Sequence, residues 1–143
     1  MEHWEYLKPD GLRFVWDDTL FRPGTDSFLL SSLPKLSAGL RVCDLGCGTG
    51  LLGLLLLQRQ SELTITGIDI QPAAVALAER AAAENRLTDR LTFRCIDLRQ
   101  VRQHFSTGSF DLVVCNPPYY PPASGKVSAA VSYTHLTLPT SDL

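Results

Sequence analysis

From residue 40 onward, short apolar runs alternate with longer stretches in which apolar and polar positions mix at helical spacing. The short runs favour strands and the longer stretches favour helices, because strands bury continuous runs whereas helices repeat roughly every 3.6 residues. The predicted strands are residues 40–45, 64–69, 91–96 and 110–115, and the predicted helices are residues 51–58, 72–84 and 98–105. Strands that alternate with helices through short connections predict an α/β fold with a parallel sheet.

Residues 1–39 are polar and irregular by comparison, and we expect one short helix within them. Thr25 and Asp26 are suitable residues to cap its first turn, and Pro34 would stop it. Its inward-facing stripe would consist of Phe28, Leu29, Leu30 and Leu33. This segment would lead directly into the first strand of the sheet.

The composition is that of a folded domain. The chain has 143 residues, of which 45% are hydrophobic and 20% charged, with a formal net charge of -2. These values argue against disorder, and the net charge does not itself indicate a nucleic-acid partner. The longest apolar run, residues 51–57, is too short to cross a membrane, and the first residues lack the basic and apolar regions of a secretory signal. We therefore expect a cytoplasmic protein without a membrane partner.

The four cysteines do not suggest a metal site or a disulfide framework. Cys43, Cys47, Cys95 and Cys115 form neither a Cys-x-x-Cys pair nor a Cys/His cluster with zinc-ligand spacing. We expect buried, reduced thiols and no bound metal.

A glycine-rich turn follows the first predicted strand, in the string Asp44-Leu45-Gly46-Cys47-Gly48-Thr49-Gly50. Glycines at alternate positions allow a sharp turn and let a ligand lie against the backbone. The third glycine comes one residue too early for the dinucleotide fingerprint G-x-G-x-x-G. The string instead resembles motif I of the class I methyltransferases, and this resemblance implies that Asp44, Gly46, Gly48 and Gly50 hold S-adenosylmethionine. A turn that merely packs a helix on a strand is the alternative.

Two acidic residues follow the next two predicted strands, Asp69 at the end of the second and Asp97 just after the third. The carboxyl ends of parallel strands share one edge of the sheet, where ligands bind in such folds. A carboxylate at Asp69 can accept hydrogen bonds from both hydroxyls of an adenosine ribose. Resemblance to the methyltransferases implies that Asp97 contacts the adenine amine of the cofactor. Helix capping is the alternative for each acid.

The string Asn116-Pro117-Pro118-Tyr119 follows the fourth predicted strand and resembles motif IV of methyltransferases that act on a planar nitrogen in adenine, cytosine or glutamine. Such a nitrogen is a poor nucleophile because its lone pair is delocalised. The resemblance implies that the Asn116 side-chain oxygen and the Pro117 carbonyl accept its N–H groups, which favours a more tetrahedral nitrogen. Tyr119 would stack on a flipped-out base. A simple turn after the strand is the alternative.

Three strings together resemble the bacterial tRNA adenine-N6 methyltransferases that act beside the anticodon of a valine tRNA. They are residues 21–30, 85–90 and 116–120, and the resemblance runs from residue 12 to about residue 126. It implies the N-terminal half of a Rossmann-like class I methyltransferase, with about four parallel strands flanked by helices. It also implies S-adenosylmethionine as cofactor and tRNA as substrate.

The end of the chain has a different character. Residues 131–140 (VSYTHLTLPT) resemble the conceptual translation of a transposase sequencing adapter. We therefore expect an N-terminal segment over residues 1–39, a truncated cofactor-binding core over residues 40–126, and a non-native tail over residues 127–143.

Other functions share parts of this pattern. Glutamine methyltransferases of translation release factors and guanine methyltransferases of small-subunit ribosomal RNA contain the same Asn-Pro-Pro-Tyr string. An inactive cofactor-binding fragment is the main alternative outside catalysis, because a complete class I domain has more strands, by resemblance, than the sequence predicts here. A nicotinamide oxidoreductase is disfavoured by the glycine spacing and by the Asn116 string, which has no role in hydride transfer.

Overall fold

The computed structural model describes residues 1–20 and 22–116 of the chain. The strands are β1 (Glu2–Tyr6), β2 (Arg13–Asp17), β3 (Arg41–Leu45), β4 (Thr64–Asp69), β5 (Leu91–Cys95) and β6 (Leu112–Cys115). The helices are α1 (Thr25–Ser32), α2 (Leu51–Arg59), α3 (Pro72–Glu84) and α4 (Val101–His104), and a 3-10 turn (Leu98–Gln100) precedes α4. None of the helices in this part of the chain has the length and apolar character needed to span a bilayer.

Four parallel strands form the main sheet in the order β5-β4-β3-β6, which confirms the predicted α/β architecture. The chain moves outward from β3 through β4 to β5 and then returns to place β6 on the other side of β3. The strand order therefore reverses between β3 and β6. Open α/β sheets bind their ligands at such a reversal, beyond the carboxyl ends of the strands.

Alternate side chains of the strands enter two separate apolar layers. On one face, Val42 and Ile65 pack with the leucines of α2 and the alanines of α3. On the other face, Cys43 and Ile68 pack against Leu98 and its neighbours around α4. Because both faces are covered, the central strands are buried apart from their first residues and the half-buried Thr66, and this burial fixes their register.

The N-terminal segment contains a β-hairpin where the sequence predicts irregular chain. β1 and β2 pair in antiparallel fashion, and β2 contributes Phe14 and Val15 to the layer formed by α2 and α3. Asn85, just after α3, secures the hairpin by accepting a hydrogen bond from the Arg13 backbone N–H (2.8 Å) and donating one to the Arg13 carbonyl (2.7 Å). The prediction of an irregular segment was therefore wrong at this hairpin.

Helix α1 forms where the sequence predicts it but turns a different face inward. Its buried residues are Ser27 and Ser31, whereas Leu29 and Leu33 are 66% and 77% exposed. Phe28 is exposed as well, and Leu30 alone of the predicted stripe packs against the core. The N-cap is Gly24, with no side-chain cap from Thr25 or Asp26. Helix α1 packs against α2, and the two serines lie on its buried face.

The cysteines divide into two pairs. Cys43 and Cys47 are buried, as predicted, whereas Cys95 and Cys115 are exposed, and all four are free thiols. The prediction of burial was wrong for the second pair because β5 and β6, which these residues end, are the two outer strands of the described sheet.

Candidate functional site

The register of the main sheet aligns the predicted site residues along its carboxyl edge. The final residue of β3 pairs with Ile68 on β4 and with the final residue of β6. Gly46, which follows the final residue of β3, is therefore flanked by Asp69 on one side and by Asn116 on the other. Each neighbour is one strand spacing away, about 4.8 Å. Asp97 extends the row beyond the end of β5. The row crosses the point where the strand order reverses.

The glycine loop owes its shape to positive φ angles, at Gly46 (69°), Gly48 (56°) and Gly50 (89°). Residues with a Cβ rarely adopt such angles, so the alternating glycines are a backbone requirement. A Cβ on Gly50 would also approach the Phe93 ring to 2.9 Å, whereas a Cβ on Gly48 would meet no heavy atom within 4 Å. The loop is thus packed at its helical end and open at Gly48, where a ligand can approach the backbone.

Asp69 ties the glycine loop to the start of α3. Its Oδ2 accepts a hydrogen bond from the Gly48 backbone N–H (2.9 Å), and its Oδ1 accepts one from the Gln71 backbone N–H (2.9 Å). The N-cap of α3 is Gln71, so Asp69 forms a turn ahead of the helix and is not its cap. Each carboxylate oxygen can accept a further hydrogen bond. Asp69 is thus held rigidly and keeps the capacity to bind hydroxyl groups.

Asp44 is a carboxyl group buried at the end of β3, with only 2% of its surface exposed. Its Oδ2 has no hydrogen-bond partner among the described residues. Burial raises the pKa of Asp44 to about 8, and the nearby charge of Asp69 adds to this effect. Buried polar atoms are normally paired, so this unpartnered oxygen sets Asp44 apart among the buried groups of the site.

Asp97 caps the 3-10 turn that follows β5. Its Oδ1 accepts hydrogen bonds from the backbone N–H of Arg99 (2.9 Å) and from the Arg99 Nε (3.0 Å). Hydrogen bonds from the Arg99 side chain and backbone lower the pKa of Asp97. The structure thus places Asp97 in the row and gives it the capping role, while its role as a cofactor ligand stays a prediction.

Asn116 lies at the end of β6, and its side chain makes a contact that the sequence does not predict. Its Nδ2 donates a hydrogen bond to the Oγ of Ser27 in the first turn of α1 (2.9 Å). The signal in the sequence was the polar Ser27 before an apolar run, at a position that the predicted stripe assigned to the outer face. Pro117 and Tyr119, the other predicted catalytic residues, lie outside the described residues.

The parallel sheet, its glycine loop and the reversal of strand order together form the Rossmann-like fold of the class I methyltransferases. Solved structures agree with this fold. A geranyl diphosphate C-methyltransferase from Streptomyces coelicolor A3(2), crystallised with S-adenosyl-L-homocysteine, is 22% identical with a TM-score of 0.56 over 64% of this chain and 34% of that one. The cyclase SpnF is 31% identical with a TM-score of 0.51 over 61% of this chain and 31% of that one. Proteins that are named for different activities therefore share this fold.

The methyltransferase small domain family matches residues 15–133, and the chain belongs to this family. Among curated relatives, the tRNA1(Val) (adenine(37)-N6)-methyltransferase of Enterobacter sp. (strain 638) is 34% identical over 81% of this chain and 49% of its own length. The protein of the same name from Serratia proteamaculans (strain 568) is 36% identical over 75% of this chain and 41% of its own length. The chain thus spans about half the length of the curated relatives it matches.

The part of the chain that the structure describes contains no group of three or more His, Cys, Asp or Glu side chains that could hold a metal ion. The polar groups at the carboxyl edge are instead carboxylates, backbone N–H groups and one amide. These groups suit an organic ligand that has hydroxyl and amine functions.

Proposed function

We propose that the chain carries the cofactor site and the acceptor asparagine of an S-adenosylmethionine-dependent methyltransferase that acts on the exocyclic amine of adenine in tRNA. The observation that carries the proposal is the position of Asn116, beside Gly46 at the point where the strand order reverses. Family membership supports methyl transfer, and the names of the curated relatives support tRNA adenine as the substrate. Such a function fits a cytoplasmic protein.

The residues at the carboxyl edge fit the proposed cofactor. Asp69, fixed by two backbone N–H groups, would accept the ribose hydroxyls, and the open backbone at Gly48 would allow close approach. The unpartnered oxygen of Asp44 would form a hydrogen bond with a polar group of the ligand. Asp97 would accept a hydrogen bond from the adenine amine in addition to those that it accepts from Arg99. When bound, S-adenosylmethionine supplies a methyl group as an electrophile.

Asn116 would hold the acceptor amine. Its Nδ2 is engaged by Ser27, so its Oδ1 is the atom that would accept an N–H from the substrate. The backbone carbonyl of Pro117 would accept the second N–H, and Tyr119 would stack on the base. Together these groups would position the amine and stabilise the charge that develops on its nitrogen.

Calorimetric titration separates the cofactor classes. The chain should bind S-adenosylmethionine and S-adenosylhomocysteine and should not bind NAD. Binding of NAD alone would refute the proposal, because it would assign the glycine loop to a nicotinamide cofactor.

The substrate is tested by transfer of a radiolabelled methyl group from S-adenosylmethionine. Unmodified tRNA, a translation release factor and small-subunit ribosomal RNA are supplied in separate reactions, and label should enter only the tRNA, as N6-methyladenine. Label in the release factor or ribosomal RNA would refute the tRNA assignment and retain amine methylation. Cofactor binding with no transfer to any of the three would identify a binding fragment and refute catalysis by this chain.

A further inference from the structure

We propose that Ser27 is a positioning residue for the acceptor amine, because its hydroxyl oxygen accepts a hydrogen bond from Nδ2 of Asn116 and leaves Oδ1 available to the substrate. This inference rests on the proposed function, in which Asn116 holds the amine. No part of the sequence pattern assigns a role to Ser27, which lies 89 residues away from Asn116.

Orientation matters because the two ends of a carboxamide are chemically opposite. Oδ1 accepts hydrogen bonds and Nδ2 donates them, while the two ends differ little in size. An exocyclic amine offers N–H donors, so only the orientation that presents Oδ1 allows it to bind. In the opposite orientation the N–H groups of Nδ2 would face the N–H groups of the amine, and no hydrogen bond could form between them. The hydrogen bond from Nδ2 to Ser27 therefore supports the orientation that presents Oδ1 to the amine.

Ser27 makes this contact from a well-supported position. It is 8% exposed, on the inner face of α1. The other end of α1 is held by Arg59 of α2, whose guanidinium donates to the Ser31 carbonyl and to the Pro34 carbonyl (3.0 Å). The hydroxyl of Ser27 thus belongs to a packed and anchored element, which is what a positioning group requires.

The burial pattern of α1 favours a polar group at this position. The helix buries two serines and leaves Phe28 and Leu29 exposed. Burying the larger apolar side chains would remove more apolar surface from water and contribute more to stability. Ser31 donates its hydroxyl proton to the Phe28 carbonyl within its own helix, whereas Ser27 reaches a side chain on β6. Of the two buried serines, only Ser27 contacts the candidate site.

The chain offers a direct spectroscopic test of the contact. It contains two asparagines, Asn85 and Asn116, so labelling with ¹⁵N-asparagine gives two side-chain amide signals. In Ser27→Ala the Asn116 signal should shift and its hydrogen exchange should accelerate by tenfold or more, on the order expected for loss of a part-buried hydrogen bond. The Asn85 signal, which reports hydrogen bonds to Arg13 and Ala81, should not change.

Three variants separate positioning from general loss of structure. Ser27→Thr keeps the hydroxyl and should restore the Asn116 signal, and Ser31→Ala removes the other buried serine of α1 and should leave it unchanged. In methyl transfer to tRNA, Ser27→Ala should lower kcat by about tenfold to a hundredfold, as expected for a misplaced reacting group. Its affinity for S-adenosylmethionine should stay within about twofold of the parent, because only the acceptor side is disturbed.

The outcomes distinguish this inference from the proposed function. An Asn116 signal that is the same in the parent and in Ser27→Ala refutes the contact itself. A shifted signal with unchanged kcat refutes the positioning role and leaves the proposed function intact. A parent chain that transfers no methyl group to tRNA refutes the proposed function, and the positioning role falls with it even if the amide signals behave as expected. An equal loss of kcat in Ser31→Ala would indicate a structural role for α1 and would overturn the assignment to Ser27.

Discussion

Replacing Asp44 with asparagine tests whether a buried acid at the centre of the site stays protonated at neutral pH. The carboxyl group is almost fully buried, and its Oδ2 has no partner in the described part of the chain. Burial, with the charge of Asp69 as a second cause, raises its pKa from 3.8 to about 8. Burial also raises the pKa of the Cys43 thiol to about 12, so this neighbour stays neutral.

The direction of the effect follows from proton binding. Because the pKa of Asp44 is higher in the folded chain, the folded state keeps a proton that the unfolded state releases, and stability falls as pH rises from about 4 to about 8. At about 1.4 kcal/mol per pKa unit, the whole change is on the order of 5 kcal/mol. Between about pH 5.5 and about pH 7.5 the free energy of unfolding should fall by about 2.5 kcal/mol from this group alone. Asp44→Asn should lack this contribution.

The assay is urea unfolding followed by circular dichroism at a series of pH values. The parent and the variant share all histidines, so their difference isolates Asp44, and the variant should gain stability relative to the parent as pH rises. Asp111→Asn is the matched control, because hydrogen bonds from Arg41 lower the pKa of that exposed carboxylate to about 2, below the measured range. If the difference between Asp44→Asn and the parent does not change with pH, Asp44 is ionised throughout and the reasoning fails.

Three further predictions concern the site and its support. Asn116→Ala should leave the affinity for S-adenosylmethionine within about twofold of the parent and abolish methyl transfer, and an equal loss of both would contradict the acceptor role. Asp69→Ala should weaken that affinity by about tenfold or more in calorimetry, because Gly48 and Gln71 also lose their acceptor, and unchanged affinity would exclude Asp69 as a ligand. Asn85→Ala should lower the free energy of unfolding by about 1–3 kcal/mol in urea, because it removes the hydrogen bonds to Arg13, and no change would show that the hairpin is held by apolar contacts alone.

Much of the fold could be predicted because its elements carry local signals. The helix over residues 72–84 has proline at its first position, and the structure has the same bounds. The strand over residues 64–69 is likewise the same. The hairpin of β1 and β2 was missed although Pro9-Asp10-Gly11 between its strands is a turn signal, because its first strand, EHWEY, is mostly polar. Only its contact with Asn85, more than 70 residues away, is tertiary and is not written in any short window of the sequence.

Some parts of the candidate site could likewise be predicted from the sequence and others could not. The glycine loop and the acids that follow the strands could be located, because a parallel sheet brings all strand ends to one edge. The inner face of α1 could not, since its apolar residues suggested the opposite side and Ser27 is buried beside Asn116, which lies 89 residues further along the chain. The capping of the 3-10 turn by Asp97 was left open beside the ligand role, because both require a carboxylate at the same place.

The order in which the site can assemble follows from the spacing of its contacts along the chain. The hydrogen bond between Asp69 and Gly48 joins residues only 21 apart, whereas the one between Asn116 and Ser27 joins residues 89 apart. Closing a loop costs more conformational entropy when the residues are further apart in the sequence. Because β6 pairs with β3, it can join the sheet only after β3 is in place. The contact between Asp69 and Gly48 can therefore form early during synthesis, and the contact between Asn116 and Ser27 waits for the last described strand. If the proposed function holds, a fault late in folding would leave a chain that still binds the cofactor but lacks the group that receives the amine.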